Sequence, residues 1–197
     1  MIKLAISGKA NSGKNSVATL VAEHLLNLAP KQYKISAFAN KIKETIAFLF
    51  PGVNPEYLYG ASQLRGKRIK SDLDSIIHNL NTSVRQVALD LGKLGRNYDP
   101  YFWISFVALE YMSLPDLSLY CIADLRFVEE YDFLKQNGFI FCRVKRNDID
   151  LINDISETEQ DKLSDSMFDI IIDNNGTFEE LKANVVNHFD TKISQYY

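Results

Sequence analysis

The chain has 197 residues, 22 basic and 25 acidic side chains, a formal net charge of −3, and 46% hydrophobic against 24% charged residues. Length and balance predict one domain, 1–197, with a single full core. The acidic total excludes the strongly basic face of a nucleic-acid binder, and no apolar run reaches the roughly 20 residues that span a bilayer.

The first element is the apolar run Ile2–Ile6, read as a strand, which leads into Gly8-Lys9-Ala10-Asn11-Ser12-Gly13-Lys14. This Gly-x-x-x-x-Gly-Lys spacing is that of the Walker A loop, whose successive backbone N–H groups wrap a phosphate chain. The glycines permit positive φ and a close backbone approach to phosphate. Lys14 supplies a point charge, and the N-terminus of the following helix adds its partial positive charge. The residue after the lysine, usually a Ser or Thr whose hydroxyl faces Mg²⁺, is Asn15 here, followed by Ser16. An amide oxygen is a neutral ligand for Mg²⁺ or its waters, and Ser16 can reach a phosphate from the first helical turn. The displaced hydroxyl argues against switch GTPases and motor ATPases and toward small-molecule kinases.

Val17, Leu20, Val21, Leu25 and Leu28 fall at helical spacing, with Pro30 just beyond. Tyr33–Phe38 reads as a second strand, and Asn40 as the cap of a helix that Pro51-Gly52 breaks. Residues 52–81 are less regular and carry the basic run Arg65–Lys70. Val84, Val87, Ala88 and Leu91 mark a further helix, from which Arg85, Gly92 and Arg96 project along one stripe. Phe102, Phe106 and Leu109 mark the next. Trp103 on it either stacks a base or fills the core. Leu117–Ala123 is a third strand, Phe127–Gln136 a helix, Phe139–Val144 a fourth strand and Phe168–Ile172 a fifth. Residues 146–166 are polar and acidic. Phe178, Leu181, Val185 and Phe189 form the buried stripe of the closing helix. Cys121 and Cys142, each inside an apolar run, read as buried free thiols, and His24, His78 and His188 show no metal spacing.

Strands alternating with helices predict an α/β fold, a five-stranded parallel sheet flanked by helices with right-handed crossovers. Ligands bind beyond the carboxyl ends of such strands. The candidates are therefore the loop 8–16, Ala39–Lys43, Asp124–Arg126, Lys145–Arg146 and Asp173–Thr177. Alternation puts Asp124 and Arg126 on one side, the acid suited to Mg²⁺ directly or through water, the guanidinium to phosphate oxygens. Glu130, one turn further on, is positioned to pair with Arg126. Thr177 with Glu180 reads as a capping box, and the turn before it, with Asn174 and Gly176, is expected beside the loop 8–14, where an adenine would rest.

Five segments together resemble the bacteriophage deoxynucleoside monophosphate kinases: Ser7–Ser16 (SGKANSGKNS), Ala37–Lys43 (AFANKIK), Val84–Trp103 (VRQVALDLGKLGRNYDPYFW), Ala123–Gly138 (ADLRFVEEYDFLKQNG) and Phe168–Leu181 (FDIIIDNNGTFEEL). The resemblance implies a P-loop kinase fold, with an acceptor-binding insertion at about 39–81 and a lid-like one at 146–166. It implies ATP over the loop, held by Gly8, Ala10, Asn11, Ser12, Gly13, Lys14, Asn15 and Ser16 with Arg146, Asn174 and Gly176. The acceptor is a deoxynucleoside 5′-monophosphate, with Lys43, Arg65, Arg85, Arg96, Trp103, Arg126 and Glu130 on its side. Lys14, Arg85 and Arg126 fall to the phosphates, Trp103 beside the acceptor base, and Asp124 and Glu130 near the metal or the acceptor. Asn15 and Asp124 are the expected Mg²⁺ residues. The family usually has Asp where Asn15 stands. The stretch 147–165 contains no arginine, so Arg126, Arg143 or Arg146 must do the work of a lid arginine. A phosphomevalonate kinase type of enzyme is the alternative, a GTP-binding switch a weaker one. Small-molecule nucleotides, a second copy of the chain in a homodimer, no membrane or nucleic acid, and the cytoplasm (a host's, if the chain is viral) complete the expectation.

Overall fold

A computed structural model describes residues 1–28, 32–60, 64, 82–114, 117–147 and 158–193. The whole basic run Arg65–Lys70 lies outside the described residues, as do 148–157 of the stretch expected to act as a lid. The chain divides into two compact units, Met1–Ala37 with Val107–Tyr197, and Phe38–Phe106.

The first unit is built on five parallel strands, β1 (Ile2–Ser7), β2 (Tyr33–Ser36), β3 (Leu119–Leu125), β4 (Ile140–Lys145) and β5 (Ile170–Asp173), in the order β2-β3-β1-β4-β5. The strand carrying the glycine loop is thus central, between β3 and β4. Alternation along the strands sorts side chains to two faces. Leu4, Ile6, Cys121, Cys142 and Ile172 pack with Val17, Val21 and Leu25 of α1 (Lys14–Leu28) and with Leu181, Val185 and Phe189 of the closing helix. The opposite face is aromatic: Tyr120 packs against Tyr111 and Phe139, and Phe141 against Tyr131 of the helix Val128–Gln136. Covered on both faces, the strands are near-continuous apolar runs, as a buried parallel sheet requires. Cys121 and Cys142 are free and buried, and burial raises both thiols far above their ordinary range. They are inert core residues.

The second unit holds α2 (Ala39–Leu49), α3 (Pro55–Tyr59), α4 (Val84–Tyr98) and the start of α5 (Phe102–Met112). Its core joins Ile42, Ile46, Val53, Leu58, Val84 and Trp103. Pro55 opens α3 behind Asn54, whose side chain accepts the Glu56 N–H, and Ser83 caps α4 by accepting from Gln86. Asn40 does not cap α2. The helix begins two residues earlier than that cap would start it, at Ala39, with the buried Phe38 as its N-cap and no side-chain cap bond, because burying that ring fixes where the chain turns. With α6 (Val128–Gln136) and α7 (Phe178–Ile193) the described helices are complete.

Strand limits differ from the sequence reading by one to two residues. The largest consequence is at β3, which starts at Leu119 rather than Leu117 and runs on to Leu125, so Asp124 lies inside the strand. The pairing of β3 with β1 slips between Ala5↔Ile122 and Ser7↔Leu125, three residues against two. Such an irregularity re-aims the end of a strand. Nothing in the apolar pattern announces it.

Candidate active site

The loop between β1 and α1 has the backbone that its glycines permit. Gly8 (φ 155), Asn11 (φ 63) and Gly13 (φ 99) all have positive φ. A Cβ on Gly8 would stand 2.6 Å from Ser12 Oγ and 2.6 Å from the Val144 carbonyl oxygen; one on Gly13 would stand 2.4 Å from Asn174 Nδ2. Both positions are therefore closed to any side chain. Asn11 tolerates the left-handed region better than most residues. Lys14 folds back over the loop, its Nζ donating to the carbonyls of Gly8 at 2.6 Å and Lys9 at 2.7 Å. Asn15 and Ser16 are exposed on the first turn of α1, and Ala10 is half-buried.

Ser12 is 1% exposed, and among the described residues its Oγ is the one buried side-chain polar atom without a hydrogen-bond partner. Leaving a buried hydroxyl unpaired costs about 1–3 kcal/mol. An orphaned donor in a loop with three positive-φ residues fits a phosphate oxygen as its partner.

The turn after β5 sits against this loop, as the sequence suggests. Asn174, buried, donates Nδ2–H to the Ser12 carbonyl at 2.8 Å and its backbone N–H to Lys145 O at 2.8 Å. Asn175 accepts the Asn147 N–H at 2.7 Å. Gly176 is exposed on the turn, and Thr177 with Glu180 forms the capping pair: Glu180 Oε2 accepts the Thr177 N–H at 2.6 Å, and Thr177 Oγ1 accepts the Glu180 N–H at 3.3 Å.

On the other side of the loop, Asp124 lies near the end of β3 and Arg126 just beyond it, both half-buried. Glu130 is 7% exposed, and its Oε2 accepts the backbone N–H of Arg126 at 2.8 Å and of Phe127 at 3.1 Å. Burial first, then the negative charge of Asp124, push its carboxyl up to about 8. The sequence led us to expect Glu130 to pair with Arg126; Glu130 accepts the Arg126 backbone N–H, and the Arg126 charge opposes part of the upward push on its carboxyl.

The acidic stretch expected to act as a lid is, in its described part, folded onto the sheet unit. Two 3-10 turns, Glu159–Lys162 and Asp165–Met167, frame the buried Leu163. Asp165 binds Arg143 Nη1 at 2.9 Å and also Lys145, which hold its carboxyl below the usual range, the Lys145 bond contributing most. Arg143 also donates to Gln160 O at 3.3 Å and lies 4.1 Å from the centre of the Phe168 ring. Asp161 holds Lys9 at 2.6 Å, and Gln160, 3% exposed, reaches Ser7 Oγ at 3.5 Å. Arg143, one of the three arginines named in place of a lid arginine, is thus engaged by this segment. Gln160 and Asp165 are the residues that sequence reasoning missed; the cations that Asp165 meets, Arg143 and Lys145, lie 22 and 20 residues before it. Arg146 is exposed.

The remaining candidates lie in the second unit. Lys43 Nζ is 5.4 Å from the centre of the Tyr59 ring, and Arg85 and Arg96 are half-buried on α4. Arg96 crosses the bare face of Gly92, its Nη1 being 3.3 Å from where a Cβ would sit. Trp103 fills the core: it is 8% exposed, its Nε1–H donates to Gly92 O at 3.0 Å, and its ring meets Phe102 edge-on. Of the two roles the sequence left open for it, packing is the one observed.

Among the described residues no group of three or more His, Cys, Asp or Glu is arranged to hold a metal ion, and no helix is long and apolar enough to cross a membrane. Mg²⁺ needs no such cage, since it keeps several waters and binds one or two protein oxygens beside substrate phosphates.

A family model described as deoxynucleotide monophosphate kinase matches the chain over residues 54–185, about two thirds of its length. The glycine loop lies outside that span, so match and loop are independent observations. No curated protein matches the chain.

Proposed function

The chain belongs to the deoxynucleotide monophosphate kinase family and is an ATP-dependent phosphotransferase acting on deoxynucleoside monophosphates, and we propose that the loop Gly8–Lys14 is its Walker A loop and holds the ATP phosphates. The observation that carries this reading is the loop itself: three positive-φ residues, an unpartnered Ser12 hydroxyl and the Lys14 ammonium at the end of the central strand.

Phosphoryl transfer asks a protein mainly for positioning and for positive charge around the equatorial oxygens. Lys14 donates to two loop carbonyls in this structure; phosphate oxygens replace them with charge-assisted bonds, which are shorter and about twice as strong. Arg126, beyond β3, contributes a planar fork suited to two phosphate oxygens. Asn174 holds the loop from the β5 side, and Arg146 and Gly176 belong to the same rim. Asp124 and Asn15 offer the oxygen donors for Mg²⁺, which when bound neutralises the outer phosphates. Lys43, Arg85 and Arg96 give the second unit cations for the acceptor monophosphate. The resemblance to bacteriophage enzymes supports the cytoplasm of an infected host as the setting.

A panel of nucleoside and deoxynucleoside monophosphates with MgATP tests the reading. Diphosphate formation from at least one deoxynucleotide is expected, and its loss in Lys14→Ala with the circular dichroism spectrum unchanged. Lys14 contributes no core burial, whereas losing a cation at the transferred group costs several kcal/mol of barrier. More than about a tenth of the unsubstituted kcat in K14A contradicts the assignment, each 1.4 kcal/mol being tenfold.

A further inference from the structure

Arg126 stands on a two-residue turn between β3 and α6. On either side of it the chain is fixed by burial, Leu125 and Phe127 both lying in the core. One atom reaches both residues of the turn. Glu130 Oε2 receives the N–H of Arg126 and the N–H of Phe127, at 2.8 and 3.1 Å. Two donors use both lone pairs of that oxygen. Just upstream, the pairing of β3 with β1 slips between Ala5↔Ile122 and Ser7↔Leu125, an irregularity of the kind that re-aims the end of a strand.

We infer that Glu130 is a positioning residue for Arg126: its carboxyl oxygen fixes the backbone from which the guanidinium reaches the phosphates, and it touches neither metal nor substrate. This differs from the direct role near metal or acceptor that the family resemblance implies, and it rests on the reading of Arg126 as phosphate-binding. Arg126 has a long side chain, so a small swing of its backbone moves the guanidinium by more than the tolerance of an aligned transfer. A misplacement of about 1 Å costs on the order of 10²-fold in rate.

The test is steady-state kinetics, with both substrates varied, on E130A, E130Q, E130D, R126A and the double variant R126A/E130A. The expected result is a loss of about tenfold or more in kcat for E130A, with both KM values within about threefold, the mark of an interaction lost in the transition state. E130Q keeps an acceptor oxygen at the same reach, so it recovers kcat to within about threefold of the unsubstituted enzyme. E130D keeps the charge but is one methylene short, and it stays with E130A. Because Glu130 acts through Arg126, adding E130A to R126A slows the enzyme by no more than about twofold. If E130A does not fold, the comparison of E130Q with E130D carries the same decision. The inference is overturned if E130Q is as slow as E130A while E130D is active, which makes the charge itself the requirement. It is equally overturned if E130A keeps kcat, or if its loss adds in full to that of R126A. R126A retaining kcat is a separate failure, that of the reading of Arg126.

Discussion

Asn174 and Ser12, 162 residues apart, are joined by a 2.8 Å hydrogen bond from the Asn174 amide to the Ser12 carbonyl. The turn after β5 is thereby tied to the loop after β1, two strands away across the sheet. We expect Asn174→Ala to raise KM for ATP about tenfold with kcat at saturation changed less, since a bond lost equally in ground and transition states lowers affinity alone. Asn174→Asp should be worse, because a carboxylate there faces the Ser12 carbonyl and repels the ATP phosphates. ATP titrations of both variants decide; an unchanged KM in each means that the loop keeps its shape without the tie.

Asn15 stands where the resemblance drawn from the sequence implies an aspartate. With Asn15→Asp one negative charge is added to the expected Mg²⁺ surroundings, and Mg²⁺ prefers carboxylate and phosphate oxygens. Half-maximal activity should then need less Mg²⁺, by about threefold or more, at saturating ATP. The opposing effect is repulsion of the phosphates by the new carboxylate, and it loses only if the ion lies between them. A requirement that is unchanged or higher in N15D removes Asn15 from the metal surroundings.

The raised carboxyl of Glu130 predicts a pH dependence of stability. Its group goes from an ordinary 4.5 to about 8 on folding, chiefly through burial. Between those values the folded chain holds a proton that the unfolded chain has released, so stability falls as pH rises. The contribution is complete below about 4.5 and lost as pH passes through about 8. In metal-free solution, therefore, the melting temperature of E130Q should gain on that of the unsubstituted protein between about pH 5 and about pH 9. Parallel pH profiles for the two proteins would show that Glu130 is ionised throughout.

Gly95 lies under Trp103. A Cβ there would come 2.5 Å from the indole Nε1 and 2.7 Å from a Phe102 ring carbon, both on rigid rings. Gly95→Ala ordinarily favours a helix by about 1 kcal/mol. Here overpacking should outweigh that gain and destabilise the second unit by about 1–3 kcal/mol. Chemical denaturation monitored by circular dichroism measures it, and a variant as stable as its parent means that the indole can shift without cost.

The strands and the longer helices were readable in the sequence because they are apolar on the faces they bury and are ended by Gly, Pro or a polar cluster; the five-residue helix Pro55–Tyr59 was not, since it lies in a stretch without a clear period. The loop was readable because its backbone demands glycine at fixed places. What escaped were relations between distant segments. No local pattern reveals that Asp165 would find Arg143 and Lys145, or that Gln160 would be buried against Ser7. The acids of 158–166 read only as part of a polar, lid-like stretch, because a charge pattern says nothing of partners brought close only by the sheet. The slip between β1 and β3 adds a residue without breaking the apolar run. Asn40 failed as a cap because burial of Phe38 decided the start of the helix.

Trp103 is the only tryptophan of the chain and lies in the core of the unit Phe38–Phe106. Its emission is therefore a label, already in place, for that unit alone, while far-ultraviolet dichroism averages over every helix and strand. A domain that unfolds in one step gives coincident transitions by any probe. Followed side by side through a denaturant series, the two signals report whether residues 38–106 lose their structure together with the sheet or on their own.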